Sequence, residues 1–268
     1  MDNTKRAFAK ATITPKGERM LREGHPWVYA DEVTNTPDAA DGDLVDVYSA
    51  KDRYLGTGFI NSRSKIRIRV ISDNANDKFD EAFFARRVKY AVDYRRCVMG
   101  DDFSACRLIF GEADRFPGLT VDRFGSILVT QTLSLGIEKR KDIILPAIVN
   151  YLRECGEKID AVYERNDVAI RELEGMSEYK AFYTAKGLDL ADNLDGFCEI
   201  TENGIKYTVD YINGQKTGYF LDQKYNRMAI RKIARGKRVL DCFTHTGAFA
   251  LNAAAADAES VTAVDVSE

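Results

Sequence analysis

Between residues 44 and 70, apolar and polar positions alternate with a period of two. Residues 44–48 read LVDVY, a KDR turn follows at 51–53, residues 54–60 resume the apolar run, and residues 65–70 read KIRIRV. Alternation sends successive side chains to opposite faces of a strand. Ile66, Ile68 and Val70 then face a core, while Lys65, Arg67 and Arg69 form a cationic row on the other face. Residues 8–73 are thus predicted to be a small β-rich domain. Residues 74–78 are polar and read as a linker. From 79 to 99 the period lengthens to that of a helix, with Phe84, Val88, Ala91 and Tyr94/Arg95 on one stripe. Arg86, Arg87, Lys89 and Arg96 lie on the other, and Gly100 is a stop signal.

Further along, element types mix. Residues 107–110 read as a strand, and 119–122 with 127–131 as a hairpin around Phe124-Gly125-Ser126. Residues 138–155 read as a helix, bent or started at Pro146 and stopped by Gly156. Residues 161–164 are a strand and 168–171 a candidate further strand. These elements predict a central α+β domain over 79–186. A third region, 197–268, opens with two alternating runs, 198–202 and 205–210, across Asn203-Gly204, a strong hairpin signal. A helix over 223–234 leads to a short apolar strand that stops at Asp241. A polar turn, Thr244 to Gly247, an alanine-rich helix over 248–256 and a strand over 261–264 follow. Strand, turn, helix and strand open a doubly wound, Rossmann-like α/β sheet, which binds ligands at the carboxyl ends of its strands. The predicted fold class is α/β, with a β-rich domain, a central α+β domain and the start of that sheet.

Composition narrows the setting. Hydrophobic residues make up 45% and charged residues 30%, the balance of a globular domain rather than a disordered or membrane chain. No apolar run approaches the roughly 20 residues of a membrane span, and MDNTKRAFAK lacks a signal-peptide core. No membrane partner is expected, and the cytoplasm is the default location. The five cysteines are scattered without a CxxC pair, and His25 and His245 are the two histidines. No metal site is expected from such a set. The net charge of −3 excludes a uniformly basic nucleic-acid binder, so any such contact must come from local clusters. The row Lys65, Arg67, Arg69 is one candidate for RNA phosphates. The other reading is a solvated strand face on which cations block aggregation. Trp27, the one tryptophan, reads as a core anchor more readily than as a base-stacking ring.

The turn after Asp241 holds a single glycine, Gly247. A pyrophosphate-binding turn needs several, so the turn suits a nucleoside without phosphates better than NAD or FAD. S-adenosylmethionine meets that description, and Asp265, about 20 residues beyond the turn, is placed to bind a ribose. An ordinary βαβ unit without ligand is the alternative. Gly214-Gln215-Lys216-Thr217 lacks the glycine spacing of a phosphate loop, so no NTPase is read there. Gln223, Asn226 and Arg227 share about one helical turn. Arg227 either pairs with a ligand carboxylate or belongs to a solvated helix face.

Five stretches carry a family resemblance: GHPWVY at 24–29, FGEADRFPGLTVDR at 110–123, ERNDVAIRELEG at 164–175, QKTGYFLDQKYNR at 215–227 and VLDCFTHTGAFA at 239–250. Together they resemble the 23S rRNA (cytosine-5) methyltransferases of the large-subunit RNA methyltransferase I family. The resemblance implies a PUA-like RNA-binding domain at 8–73, a central α+β domain at 79–186 and the N-terminal part of a class I S-adenosylmethionine-dependent methyltransferase at 197–268. It also implies ribosomal RNA as partner. Residue by residue, Asp241, Phe243, Thr246, Gly247 and Ala248 match the family's cofactor turn, and Asp265 its ribose acid. Phe220, Gln223 and Arg227 match the segment over the methionine end. Lys224 departs from the arginine more usual there, which keeps the charge but loses a bidentate contact.

A doubly wound sheet needs more βα units than follow here, so an incomplete domain, inactive alone, is expected. Methylation at carbon-5 of cytosine needs a thiolate at carbon-6. The family's cysteine for that step is expected beyond Glu268, and Cys242 is read as buried packing, so no catalytic residue is assigned. The alternatives are guanine methylation on the same scaffold, which needs no cysteine, and an RNA-binding module without activity.

Overall fold

The structure, a computed structural model, describes residues 8–35 and 37–266. Its first sheet contains β1 (Ala9–Ile13), β2 (Trp27–Tyr29), β3 (Leu44–Ser49), β4 (Tyr54–Ile60) and β5 (Ile66–Ser72), in the order β1-β3-β4-β5-β2. Only the β1–β3 pairing is parallel in this sheet. Helix α1 (Pro15–Arg22) links β1 to β2, with Pro15 at its start and Thr14 Oγ1 accepting from Gly17 N at 3.2 Å. Both are strong helix-start features. The alternating positions of β3 and β5 do close a core, made of Val45, Val47, Ile68 and Val70 with Ile13 and Val28.

Asp80 caps the long helix α2 (Glu81–Met99) through Phe83 N, and Gly100 ends it in the left-handed region at φ 53°. The second sheet runs β10-β9-β8-β7-β6. Its strands are β6 (Ala105–Phe110), β7 (Leu119–Phe124), β8 (Ile127–Thr132), β9 (Ala161–Asn166) and β10 (Tyr179–Phe182). Between β8 and β9 the helix expected over 138–155 is two pieces, α3 (Leu135–Glu138) and α4 (Lys141–Glu154), and Pro146 lies inside α4 rather than at its start. The strand expected at 168–171 is instead part of a short helix, α5 (Ile170–Leu173). Arg171 sits inside this turn and anchors it. Its buried guanidinium donates to Thr132 O, Ser177 O and Glu138, which an extended backbone would not allow.

Both faces of the central sheet are covered, and every position of β9, polar ones included, is buried. Leu128 and Val162 pack toward α2 and α4, with Phe83, Phe84, Ile144 and Ile148. Ile127, Val129, Ala161 and Tyr163 face the other way, onto the hairpin β11 (Phe197–Glu202) and β12 (Ile205–Asp210). Asn203 and Gly204 turn that hairpin at φ 54° and 76°, the conformation a two-residue turn of this kind requires. Helix α6 (Lys224–Ala234), strand β13 (Arg238–Cys242), helix α7 (Ala248–Ala254) and strand β14 (Ser260–Val264) complete the described chain, with β13 and β14 parallel.

The regions do not keep separate cores. Phe59 and Ile71 of the first sheet belong to the cluster under α2 and α4. Gly136 lies so close to Phe59 that a β-carbon would sit 2.1 Å from the ring. Trp27 is not a core anchor. It is partly exposed at the seam, where Nε1 donates to Glu112 at 2.8 Å and Arg69 lies over its ring. The cationic row is broken for the same reason. Arg69 donates to Glu174 at 2.8 Å and to Glu112 at 3.4 Å, and its side chain is 11% exposed. Lys65 is exposed, and Arg67 is partly buried with one contact to Asn61 O.

Candidate functional site

A cavity of about 500 Å³ opens at the carboxyl ends of β13 and β14. Three elements build its walls: the loop before α6, the loop from β13 to α7, and the residues after β14. The β13–α7 loop is folded by two carboxylates. Asp241 Oδ2 accepts from Thr244 Oγ1 at 2.5 Å and from Ala250 N at 3.0 Å. Asp265 Oδ2 accepts from His245 N at 2.7 Å. Two residues of this loop other than glycine, Phe243 and His245, are left-handed at φ 61° and 51°. Such conformations cost of order 1–3 kcal/mol each and persist where the surroundings impose them. Asp265 holds the backbone N–H of one of them, His245, and Asp241 bonds Thr244 between the two.

Of the residues singled out in the sequence, Phe220, Gln223, Arg227, Phe243, Thr246, Ala248 and Asp265 line the cavity. Asp241 and Gly247 shape it from behind, Asp241 through the bonds above and Gly247 as the residue capping α7 at φ 72°. Phe243 is 80% exposed, an open ring at the rim. Sequence reasoning missed Lys216, Asp222, His245 and Phe249, which also line it. Lys216 Nζ stands 4.3 Å from the Phe220 centroid and pairs with Asp222 at 3.1 Å. The His245 ring meets Phe220 edge-on at 5.2 Å. Burial would raise the Asp222 pKa, but hydrogen bonds from Lys216 and Gln223 outweigh it and hold the carboxyl below its usual range. The position of Lys216 and Asp222 within QKTGYFLDQ was a signal available in the sequence.

Arg227 is neither solvated nor free. It is 3% exposed, donates to Glu202 Oε1 at 2.8 Å and to Phe220 O at 2.9 Å, and lies 4.4 Å from the Tyr219 centroid. Its buried Nε has no hydrogen-bond partner. Lys224 points away from the cavity wall to an ion pair with Asp102 before the central sheet. Thr217, from the sequence that superficially resembled a phosphate loop, donates to buried Asp122 at 2.6 Å. Asp122 also takes a bidentate pair from Arg107, at 2.8 and 2.9 Å. Cys242 is exposed rather than buried, and no cysteine among the described residues lines the cavity. Among the described residues there is no cluster of three metal-binding side chains, and no helix long and apolar enough to cross a membrane. The expected position of a nucleophile past Glu268 lies outside the described residues.

Two parts of the chain match known families. Residues 11–73 match the model of a PUA-like domain, and residues 177–268 that of an S-adenosylmethionine-dependent methyltransferase. Proteins named ribosomal RNA large subunit methyltransferase I are similar over nearly the whole chain. That of Klebsiella pneumoniae subsp. pneumoniae is 36% identical over 263 residues, covering 97% of this chain and 63% of the relative. That of Escherichia coli O139:H28 is 37% identical over 259 residues, covering 96% and 63%. The chain thus spans 63% of the length of these relatives. Among solved structures, a candidate SAM-dependent methyltransferase from Streptococcus mutans superposes with a TM-score of 0.76 at 25% identity, covering 97% of this chain and 64% of its own. A candidate methyltransferase complexed with SAH has the same fold, with a TM-score of 0.78 at 24% identity over 97% of this chain and 63% of its own. The chain therefore carries a PUA-like domain at residues 11–73 and, from residue 177 onward, sequence of the S-adenosylmethionine-dependent methyltransferases.

Proposed function

We propose that this chain belongs to an enzyme that methylates a base of large-subunit ribosomal RNA, at carbon-5 of a cytosine, with S-adenosylmethionine held in the cavity at the ends of β13 and β14. The observation that carries the reading is the convergence there of an open aromatic ring, Phe243, a carboxylate, Asp265, and a buried guanidinium with an unmet donor, Arg227. These fit the three parts of the cofactor. Phe243 would offer a face to the adenine, Asp265 would accept from the ribose hydroxyls, and the cationic Arg227 would stand at the methionine end. Bound S-adenosylmethionine supplies an electrophilic methyl group. The chain's own residues bind and orient it, and the Phe220 ring, held between Lys216 and His245, closes the wall beside it. The target base has to leave its stack to reach such a site. On the nucleic-acid side, Lys65 and Arg67 of the PUA-like domain are the phosphate contacts, with Arg69 bound to the seam instead.

Titration calorimetry tests the cofactor site. Asp265→Ala is expected to weaken S-adenosylmethionine binding about tenfold or more, the loss of a charge-assisted bond of roughly 1.5–3 kcal/mol. Equal affinity in the variant and the wild type would refute the site. The reaction is tested by incubating large-subunit RNA with the protein and methyl-labelled cofactor, then separating its nucleosides. Label in 5-methylcytidine is the expected result, and label in a methylguanosine would overturn the carbon-5 assignment.

A further inference from the structure

Two arginines from different elements flank the segment that joins the PUA-like and central domains, Arg87 beside Asp77 and Arg115 beside Asp73. Arg87 comes from α2, and Arg115 follows the turn after β6 in a left-handed conformation at φ 63°. Their carboxylate partners are distant: Asp77 is 4.0 Å from Arg87, and Asp73 is 3.9 Å from Arg115 and 73% exposed. Burial, and after it the Arg115 charge, lower the Arg87 pKa, while Asp77 and Asp73 oppose them. Along α2, Tyr90 and Tyr94 follow Arg87 at spacings of three and four, which places all three on one stripe of the helix. Each tyrosine is 58% exposed. The stripe is continuous with the seam, because Arg95, next to Tyr94, donates to Asp114 and its neighbour Glu112 receives the Trp27 indole.

We propose that Arg87, Arg115, Tyr90 and Tyr94 form a second RNA contact, in which the arginines take a phosphodiester and the tyrosine rings stack on unpaired bases. This rests on the reading of the protein as an RNA-modifying enzyme and adds where the strand runs. Two guanidiniums near exposed aromatic rings, with Arg95 already over one face of Tyr94, match a single strand, whose backbone is anionic and whose bases expose flat faces.

Fluorescence anisotropy with a single-stranded RNA of about a dozen nucleotides, a length within the usual site size, tests the surface. Tyr90→Ala with Tyr94→Ala is expected to weaken binding about tenfold or more with the salt slope unchanged, because stacking carries no charge. Tyr90→Phe with Tyr94→Phe is expected to bind as the wild type does. Arg87→Gln with Arg115→Gln is expected to flatten the log–log salt slope by about 1.4, two phosphates at about 0.7 each on a single strand. Lys65→Gln with Arg67→Gln serves as the reference pair in the PUA-like domain. If that pair weakens binding while the tyrosine-to-alanine pair does not, the α2 surface is overturned and the RNA reading stands. If the wild type binds no RNA at low salt, both fall. If the alanine pair turns a dimer into a monomer at unchanged RNA affinity, the rings cover a second copy and the proposal is overturned. Circular dichroism melting confirms that each variant folds.

Discussion

Replacing Arg227 by methionine is expected to lower stability by about 3–5 kcal/mol, the usual loss when one partner of a buried ion pair is removed. Arg227 and Glu202 have side chains only 4% and 1% exposed, so the orphaned carboxylate finds no water. Glu202 keeps only the Tyr219 hydroxyl, at 3.1 Å. The loss reaches the cavity as well, because Arg227 ties Phe220 O to the hairpin. Urea unfolding followed by far-ultraviolet circular dichroism measures the effect. The double variant Arg227→Met, Glu202→Leu is expected to recover most of the stability, since an apolar pair of similar volume needs no desolvated charge. It is not expected to recover cofactor affinity, which needs the guanidinium. Equal midpoints for the single variant and the wild type would remove the pair from the account.

Asp122→Ala is the second large effect expected, about 1–3 kcal/mol, since it removes the buried acceptor of Thr217 and of Arg107, whose side chain is 34% exposed and stays partly solvated. Asp122 is wholly buried and serves the central sheet and the cavity loop together, through Arg107 and Thr217. Releasing Thr217 loosens the segment that carries Lys216 and Phe220. S-adenosylmethionine affinity is therefore expected to fall about tenfold, or 1.4 kcal/mol, although Asp122 does not line the cavity. Asp122→Asn keeps an acceptor for Thr217 and is expected to retain affinity better than stability. Calorimetry and urea unfolding on both variants separate the two losses. A loss of stability with unchanged affinity in Asp122→Ala would show that the loop holds itself.

The contrast between these residues and the β13–α7 turn shows what a sequence displays. That turn is local: Asp241, Gly247 and Asp265 lie within 25 residues, and their order alone pointed to the strand ends where the cavity opens. The hairpin at Asn203-Gly204 was legible for the same reason, since the backbone needs two left-handed residues there. Arg69 was misplaced because its partners are 43 and 105 positions away, at Glu112 and Glu174. Period-two alternation gives the face on which a side chain stands, not what covers that face. Arg227 illustrates the limit from the other side. Its spacing on the helix was right, but nothing in a window of one turn shows Glu202 arriving from a hairpin. Arg171 broke a predicted strand by the same kind of distant anchor.

The merging of the first two cores bears on how such a protein can be divided. Excised on its own, the PUA-like segment would carry Phe59 and Ile71 into water as a sticky patch. The remainder would keep Glu112 and Glu174 without the guanidinium that neutralises them. Limited proteolysis should consequently release no stable amino-terminal fragment, and grafting this segment onto another enzyme would require redesigning its underside first.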